Sequence, residues 1–103
     1  MKVLMIIPAY NEEESILQTV QGIIDYRNSV NFQLGYVVIN DGSTDSTKEI
    51  LIQNKLIAVQ LVQNLGIGGA VQTGYKYALD NDNDVAVQFD GDGQHDIRSL
   101  NRA

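Results

Sequence analysis

The sequence predicts an α/β protein with a Rossmann-like parallel sheet and flanking helices. Short, continuous apolar runs have the pattern of strands that are buried on both faces. These runs alternate with segments whose apolar residues recur at helical spacing, and each run is followed directly by an unusual polar cluster. Because such alternation implies right-handed crossovers between parallel strands, we expect the order βαβαβαβ.

The first strand is predicted at Lys2–Ile7, and Pro8 is expected to end it. Asn11 with Glu14 three residues later has the spacing of a capping box, which predicts a helix start. The apolar residues that predict this helix are Ile16, Leu17, Val20, Ile23 and Ile24.

A second buried strand is predicted at Leu34–Ile39. Residues 40–45, NDGSTD, predict a turn into a second helix, with Ile50 and Leu51 on its apolar side. Ile57–Val62 then predicts the third strand. Asp41 lies in this turn, where it either caps the turn or accepts a hydrogen bond from a ligand.

Glycines dominate residues 64–69, NLGIGG, between the third strand and the third helix. This loop either offers backbone amides to a phosphate or packs closely at a helix start; Val71 stands where a dinucleotide fingerprint needs its third glycine. The helix is predicted at Ala70–Leu79, and a polar turn leads from it to a fourth strand at Val85–Phe89. The expected buried face of the helix is Ala70, Val71, Tyr75, Ala78 and Leu79.

Composition limits the classes of function. The chain has 103 residues, enough for one domain, and its formal net charge of −6 argues against nucleic acid as a partner. It has no cysteine, so neither a disulfide framework nor a thiolate metal site is expected. No apolar run approaches the roughly 20 residues that span a bilayer, and the N-terminus predicts a strand rather than a signal peptide.

Every polar cluster follows the carboxyl end of a predicted strand. In a parallel sheet these ends share one edge, and ligands bind there at the point where the strand order reverses. With the order 3-2-1-4, that crevice opens between the first and fourth strands. A tyrosine at Tyr10 can stack on a planar base and Glu12 can hydrogen-bond one, although Glu12 also fits a first-turn acid of the following helix.

The segment FDGDGQHD predicts a metal site. Asp90 and Asp92 lie one residue apart at a strand end, where two carboxylates can share one hard divalent cation such as Mg²⁺ or Mn²⁺. The alternative is a solvated acidic turn, but Gln94, His95 and the other strand-end clusters favour the metal. An EF-hand is excluded, because His95 and Asn101 occupy the places of its glycine and glutamate.

Four motifs together resemble the N-terminal half of inverting, family 2 nucleotide-diphospho-sugar glycosyltransferases, in particular polyprenyl- or dolichyl-phosphate sugar transferases. In chain order they are IPAYNEEE, VINDGSTDST, NLGIGGAVQTGYKYA and FDGDGQHD. The resemblance implies the N-terminal part of an A-type glycosyltransferase fold, with a nucleotide-sugar pocket at the edge described above. Pro8, Tyr10 and Glu12 match positions that line the nucleoside pocket, and Asp41 matches the acid that contacts the base. Asn40 departs from the family, which often has aspartate there, so it is expected to alter base preference or affinity if that position contacts the nucleoside.

The resemblance also implies the metal and its ligands. Asp90 and Asp92 match the DxD motif that binds the donor through Mg²⁺ or Mn²⁺, and Gln94 matches a glutamine that joins the metal shell. Inversion needs a general base, which in this family lies beyond residue 103, so no catalytic residue is assigned. We therefore expect residues 1–103 to be the donor-binding part of one glycosyltransferase domain that continues further.

The expected partners are a nucleotide-diphospho-sugar donor and an acceptor such as a lipid phosphate or a cell-surface glycan. The expected location is cytoplasmic, with the full-length protein at the cytoplasmic face of the membrane. An exposed sheet edge or apolar face predicts self-association of the chain. Two alternatives stay open: a metal-dependent phosphoryl-transfer or receiver-like domain, whose reactive aspartate usually follows the first strand, and a binding module without chemistry.

Overall fold

The computed structural model describes residues 1–89 throughout and the backbone of residues 95–99, and it confirms the Rossmann-like α/β fold. The elements are β1 (Lys2–Ala9), α1 (Ile16–Arg27), β2 (Gln33–Asp41), α2 (Thr47–Gln53), β3 (Ala58–Leu61), α3 (Gly66–Asp80), β4 (Val85–Phe89) and β5 (His95–Ser99). The first seven follow the expected alternation of strands and helices. A strand at 95–99 is not among the predictions, because HDIRS has a single apolar residue.

The sheet has the order β3-β2-β1-β4-β5. Its first four strands are parallel, and β5 pairs antiparallel with β4. The strand order reverses between β1 and β4, since the chain moves outward from β1 to β3 and then crosses to β4. This is the 3-2-1-4 arrangement for which a crevice between the first and fourth strands is expected.

Side-chain alternation along the strands divides the core into two layers. On one face, Val3, Met5 and Ile7 of β1 pack with the buried residues of α1 and with Leu51 of α2. On the other face, Leu4 and Ile6 pack against α3. Because strands buried on both faces have no polar side, they read in the sequence as uninterrupted apolar runs.

The helix α3 approaches the sheet through small residues. Its buried positions are Ala70, Gly74 and Ala78, and a Cβ on Gly74 would lie 2.3 Å from a side-chain atom of Ile6. The face of α3 that lies on the sheet is therefore centred on these small residues, and Leu79, which was predicted as buried, is 45% exposed. The polar turn before β4 is anchored to the end of α3, because Asn83 is buried and its side chain donates to the carbonyl of Ala78.

Two expected boundaries near the first strand are wrong. Pro8 does not end β1, which continues to Ala9 and keeps its register with β2. The pairing of β1 with β4 stops at Ile6, so beyond that point only one neighbouring strand remains and a residue without an N–H is tolerated. Asn11 does not cap α1 either, since that helix begins at Ile16 after a turn closed on the Glu12 carbonyl.

An apolar groove of about 730 Å³ lies on the α1 side of the sheet. Its lining includes Ile23 of α1, Met5 of β1, and Val87 and Phe89 of β4. Self-association through such a surface stays a prediction. The helices of the described residues are all too short or too polar to cross a bilayer.

Candidate functional site

A cleft of about 270 Å³ lies at the carboxyl edge of the sheet, between the ends of β1 and β2 and the start of α3. Its size is close to the lower limit of ligand pockets, about 300 Å³. Four residues that the sequence marks as candidates line it together: Pro8, Tyr10, Glu12 and Asp41. They meet because β1 and β2 are parallel neighbours, which places both carboxyl ends at the same edge.

Tyr10 and Glu12 come from the loop after β1. Tyr10 is 46% exposed, so part of the residue packs against the protein and the rest is open to a ligand. Glu12 is exposed, and its carboxylate accepts a hydrogen bond from the Ser15 hydroxyl at 3.1 Å. Glu12 precedes the first helical residue by four positions, so it is not the first-turn acid considered as an alternative.

Asp41 forms the wall on the β2 side and is buried. Its Oδ1 accepts the amide of Leu65 at 2.7 Å, and its carbonyl accepts the side-chain amide of Asn64 at 3.1 Å. Asp41 therefore fits both the structural and the ligand-binding interpretation, because it anchors the segment before α3 and also lines the cleft. Within residues 1–89 the hydrogen bonds to Asp41 from Asn64 and Leu65 reach its carbonyl and Oδ1, so Oδ2 remains an available acceptor.

Asn40 points to the other face of the sheet. Its side chain donates to Gln60 Oε1 at 2.7 Å and accepts the hydroxyl of Ser43, and it is buried. It does not line the cleft. The expected effect of Asn40 on base preference therefore finds no support, because alternation along β2 sends Asn40 and Asp41 in opposite directions.

The glycine segment forms the third wall of the cleft. Gly66, with a φ of 81°, is the first residue of α3, and it lines the cleft together with Ile67 and Ala70. The amide of Gly66 donates to Asn64 Oδ1 at 3.1 Å, and the Leu65 amide is bound to Asp41. These two amides are thus already paired, which argues against phosphate binding through them.

Close packing, the other interpretation of the glycines, applies to Gly69 but not to Gly66 or Gly68, where an added Cβ would meet no atom within 4 Å. A Cβ on Gly69 would lie 2.6 Å from the Cβ of Leu65. Sequence reasoning did not find Asn64 or Ile67 as lining residues, although the adjacent glycines marked the segment.

The loop after β2 holds a carboxylate with a shifted pKa. Partial desolvation acts to raise the pKa of Asp45, but hydrogen bonds donated by the Thr47 hydroxyl and amide and by the Glu13 amide outweigh it. The pKa of Asp45 is therefore lowered from its ordinary value of 3.8. Its carboxylate joins the β1–α1 and β2–α2 loops, since Oδ2 accepts the Glu13 amide at 3.2 Å while Oδ1 accepts from Thr47.

The candidate metal ligands Asp90, Asp92 and Gln94 lie outside the described residues, as does the His95 side chain. The described part of the chain holds no group of three or more acidic, histidine or cysteine side chains suited to a metal ion. Phe89, the last residue of β4, borders a cavity of about 240 Å³ together with Pro8 and Glu12. The last described residue before the DxD motif thus lies beside residues that also line the cleft.

Comparison with known proteins identifies relatives that are named as sugar transferases. The chain is 36% identical to the UDP-N-acetylglucosamine–dolichyl-phosphate N-acetylglucosaminyltransferase of Methanococcus voltae, over 88% of this chain and 41% of that protein. It is 30% identical to the undecaprenyl-phosphate 4-deoxy-4-formamido-L-arabinose transferase of Proteus mirabilis, over 98% of this chain and 32% of the relative. The chain thus spans about a third to two fifths of the length of these relatives.

Among solved structures, S. aureus TarS 1–349 in complex with UDP matches with a TM-score of 0.65 and 29% identity. The match covers 89% of this chain and 28% of the TarS chain. The fold is the N-terminal part of the A-type glycosyltransferase fold that the motifs implied. The model of "Glycosyl transferase family 2" matches residues 5–103. The chain therefore belongs to glycosyl transferase family 2.

Proposed function

We propose that this chain is the donor-binding part of an enzyme that transfers a sugar from a nucleotide-diphospho-sugar to an acceptor. The observation that carries the proposal is the cleft in which Pro8, Tyr10, Glu12 and Asp41 meet. A half-exposed aromatic ring beside a buried carboxylate suits a nucleoside, because the ring offers a stacking surface and the carboxylate accepts an N–H of the base.

Uracil is the base that we propose for the donor nucleotide. The Methanococcus voltae relative is named for a UDP-sugar donor, and TarS was crystallised with UDP. A uracil offers an N–H that the unpaired Oδ2 of Asp41 would accept. The diphosphate would then extend from the cleft toward the end of β4, where Asp90 and Asp92 follow in the sequence.

A divalent cation completes the proposed site. Asp90, Asp92 and Gln94 supply only oxygen ligands, which suits Mg²⁺ or Mn²⁺. When bound, the cation would neutralise the negative charge that grows on the leaving diphosphate.

The proposed reaction is a direct displacement with inversion. An acceptor oxygen forms a bond to the anomeric carbon of the sugar, and the bond from that carbon to the diphosphate breaks with its electron pair on the leaving nucleoside diphosphate. The acceptor proton passes to a general base, to which we assign no residue of this chain. Polyprenyl phosphate is the proposed acceptor because both relatives are named for such lipids, and it would bring the reaction to a membrane surface.

Isothermal titration of the full-length protein with UDP and GDP, each with and without Mn²⁺, tests the proposal. We expect UDP to bind more tightly than GDP, with an affinity that depends on the metal. Replacement of the stacking ring by Tyr10→Ala should weaken UDP binding about tenfold, since stacking of one base contributes about 1–3 kcal/mol. Tyr26→Ala is the control, because Tyr26 is 53% exposed on α1 and lines the apolar groove instead.

Absence of metal-dependent binding for both nucleotides would contradict the proposed donor class. The alternative of a receiver-like or phosphoryl-transfer domain needs a reactive aspartate after the first strand. In this chain Tyr10, Asn11 and Glu12 follow β1, and no aspartate occurs before Asp25. A stable beryllium fluoride adduct on an aspartate would revive that alternative.

A further inference from the structure

The loop between β1 and α1 holds Tyr10 and Glu12 in the cleft without regular secondary structure. Such a loop needs tertiary bonds to keep its side chains in one place, because a free loop samples many conformations. Asn11, between the two cleft residues, provides these bonds. Its side chain is absent from the lining of the cleft and is bonded to the β2–α2 loop instead.

The Asn11 amide oxygen is a shared acceptor. Oδ1 accepts the backbone N–H of Thr44 at 2.8 Å and that of Asp45 at 3.3 Å. The Thr44 hydroxyl lies 3.4 Å from the same oxygen. One atom thus satisfies two main-chain donors of a loop that is more than thirty residues away in the sequence.

Hydrogen bonds donated by the β1–α1 loop complete the connection between the two loops, which we call the joint. The backbone N–H of Asn11 donates to the Ser43 hydroxyl at 2.9 Å, and the N–H of Glu12 donates to the Thr47 hydroxyl at 2.9 Å. Thr47 is fully buried, so its end of the bond is fixed by the core. The Asn11 φ of 54° lies in the left-handed region, which asparagine adopts more readily than most residues.

The joint connects the two walls of the cleft. On one wall, Tyr10 and Glu12 are the sequence neighbours of Asn11. On the other wall, Asp41 lies three residues before Thr44, whose amide is bonded to Asn11. The bonds of Asn11 therefore set where the aromatic ring stands relative to the carboxylate of Asp41. We infer that Asn11 is a positioning residue for nucleoside binding, an inference that rests on the proposed function and assigns Asn11 no contact with the ligand.

Three substitutions separate the two properties of this residue. Asn11→Gly keeps the backbone conformation accessible but removes the acceptor. Asn11→Asp keeps both, because aspartate also tolerates positive φ and carries an oxygen at the same place. Asn11→Ala loses both. For UDP titrated into the full-length protein with Mn²⁺, we expect Asn11→Gly to weaken binding about tenfold and Asn11→Asp to stay within about threefold of the native affinity.

A double-mutant cycle distinguishes positioning from a general loss of stability. If Asn11 acts through its neighbours, Asn11→Gly should have almost no further effect on the UDP affinity of the variant Tyr10→Ala/Glu12→Ala. Equal losses in the native and double-variant backgrounds would contradict positioning. So would native affinity in Asn11→Gly, or an Asn11→Asp protein as weak as Asn11→Gly.

Ser43→Ala carries the test if Asn11→Gly does not fold. This substitution removes the acceptor of the Asn11 N–H and leaves Asn11 in place, although it also removes the hydroxyl that donates to Asn40 Oδ1 on the far side of β2. We expect UDP binding about threefold weaker, because the neutral hydrogen bond from the Asn11 N–H is lost, and unchanged affinity would overturn the inference. Failure of the native protein to bind UDP is a separate outcome that counts against the proposed function itself.

Discussion

The two edges of the sheet both carry clefts and polar side chains, yet they use them differently. At the amino edge, a cleft of about 330 Å³ is slightly larger than the 270 Å³ cleft at the carboxyl edge. There Lys2 donates its backbone N–H to Asp84 at 2.9 Å and its Nζ to the Asn81 carbonyl at 2.6 Å. These bonds close the turn before β4 and use Lys2, one of the two charged residues, with Arg27, that border the cleft.

At the carboxyl edge, the loop bonds leave the cleft residues free for a ligand. Asn11 and Ser43 make the bonds between loops, while Tyr10 stays half exposed and Asp41 keeps one oxygen unpaired within residues 1–89. The larger groove on the α1 face is bordered almost wholly by apolar side chains. Volume alone would therefore not select the cleft that we propose for the nucleoside, which is distinguished by the unpaired oxygen of Asp41 and the exposed Tyr10.

The largest effect is expected from Gly42→Ala, which breaks the carboxyl edge. Gly42 has a φ of 69°, and a Cβ there would lie 2.5 Å from the backbone nitrogen of Asn64. Backbone strain and the clash with main-chain atoms together should lower the free energy of unfolding by about 2–4 kcal/mol and abolish UDP binding.

Gly66→Ala is the matched control in urea denaturation. Gly66 has a φ of 81°, but a Cβ added there would meet no atom within 4 Å, so only the conformational cost of about 1 kcal/mol applies. If both variants lose the same free energy of unfolding, the contact between the β2–α2 turn and the segment before α3 is not what Gly42 protects.

The second largest effect is expected from Asp41→Asn, which separates the structural role of this side chain from its proposed role in base binding. Asparagine keeps an oxygen for the Leu65 amide, but it removes the second, negatively charged oxygen that would accept the N–H of the base. UDP affinity in calorimetry should fall about tenfold while the midpoint of urea denaturation stays near the native value. Asp41→Ala should lower both quantities, and native affinity in Asp41→Asn would contradict a base contact at Oδ2.

A smaller effect, on stability alone, is expected from Asn83→Ala at the amino edge. The Asn83 side chain is 2% exposed and donates to the Ala78 carbonyl at 3.1 Å. Its loss should cost about 1–2 kcal/mol of the free energy of unfolding and leave the UDP dissociation constant within about twofold. A parallel loss of UDP affinity would show that the two edges are not independent.

The smallest effect is expected from titration of Asp45. Its pKa is lowered in the folded state, so its ionised form stabilises the fold at pH values above its ordinary pKa. This contribution should disappear as the pH falls from about 4 through the lower pKa of the folded protein. Asp45→Asn should flatten the acid limb of a plot of unfolding free energy against pH, and an unchanged slope would contradict this role.

Much of the fold follows from patterns along the chain. The apolar runs predicted four strands, and the bounds of β4 at Val85–Phe89 agree with the prediction. The placement of Tyr10, Glu12 and Asp41 at one edge of the sheet also followed, because parallel strands place their carboxyl ends together. The cleft they line lies between β1, β2 and α3, however, and not between the first and fourth strands as expected. These predictions succeed because they depend on periodicity and on the geometry of a parallel sheet.

Predictions that depended on a tertiary partner were less successful. Asn11 was expected to cap a helix, and it accepts bonds from a distant loop instead, because short polar side chains serve both purposes equally well. The glycines from Gly66 were expected to form a loop, yet they lie in α3, where packing on the sheet overrides their low helix propensity. A sequence shows the residue type in such cases but not its partner.

A crystal structure of the full-length protein with UDP and Mn²⁺ tests the central claim most directly. The account predicts a uracil ring against Tyr10 at the carboxyl edge, with a ring N–H donated to the Asp41 carboxylate. UDP bound at the amino edge or in the apolar groove, with Tyr10 and Asp41 free of ligand, would contradict it.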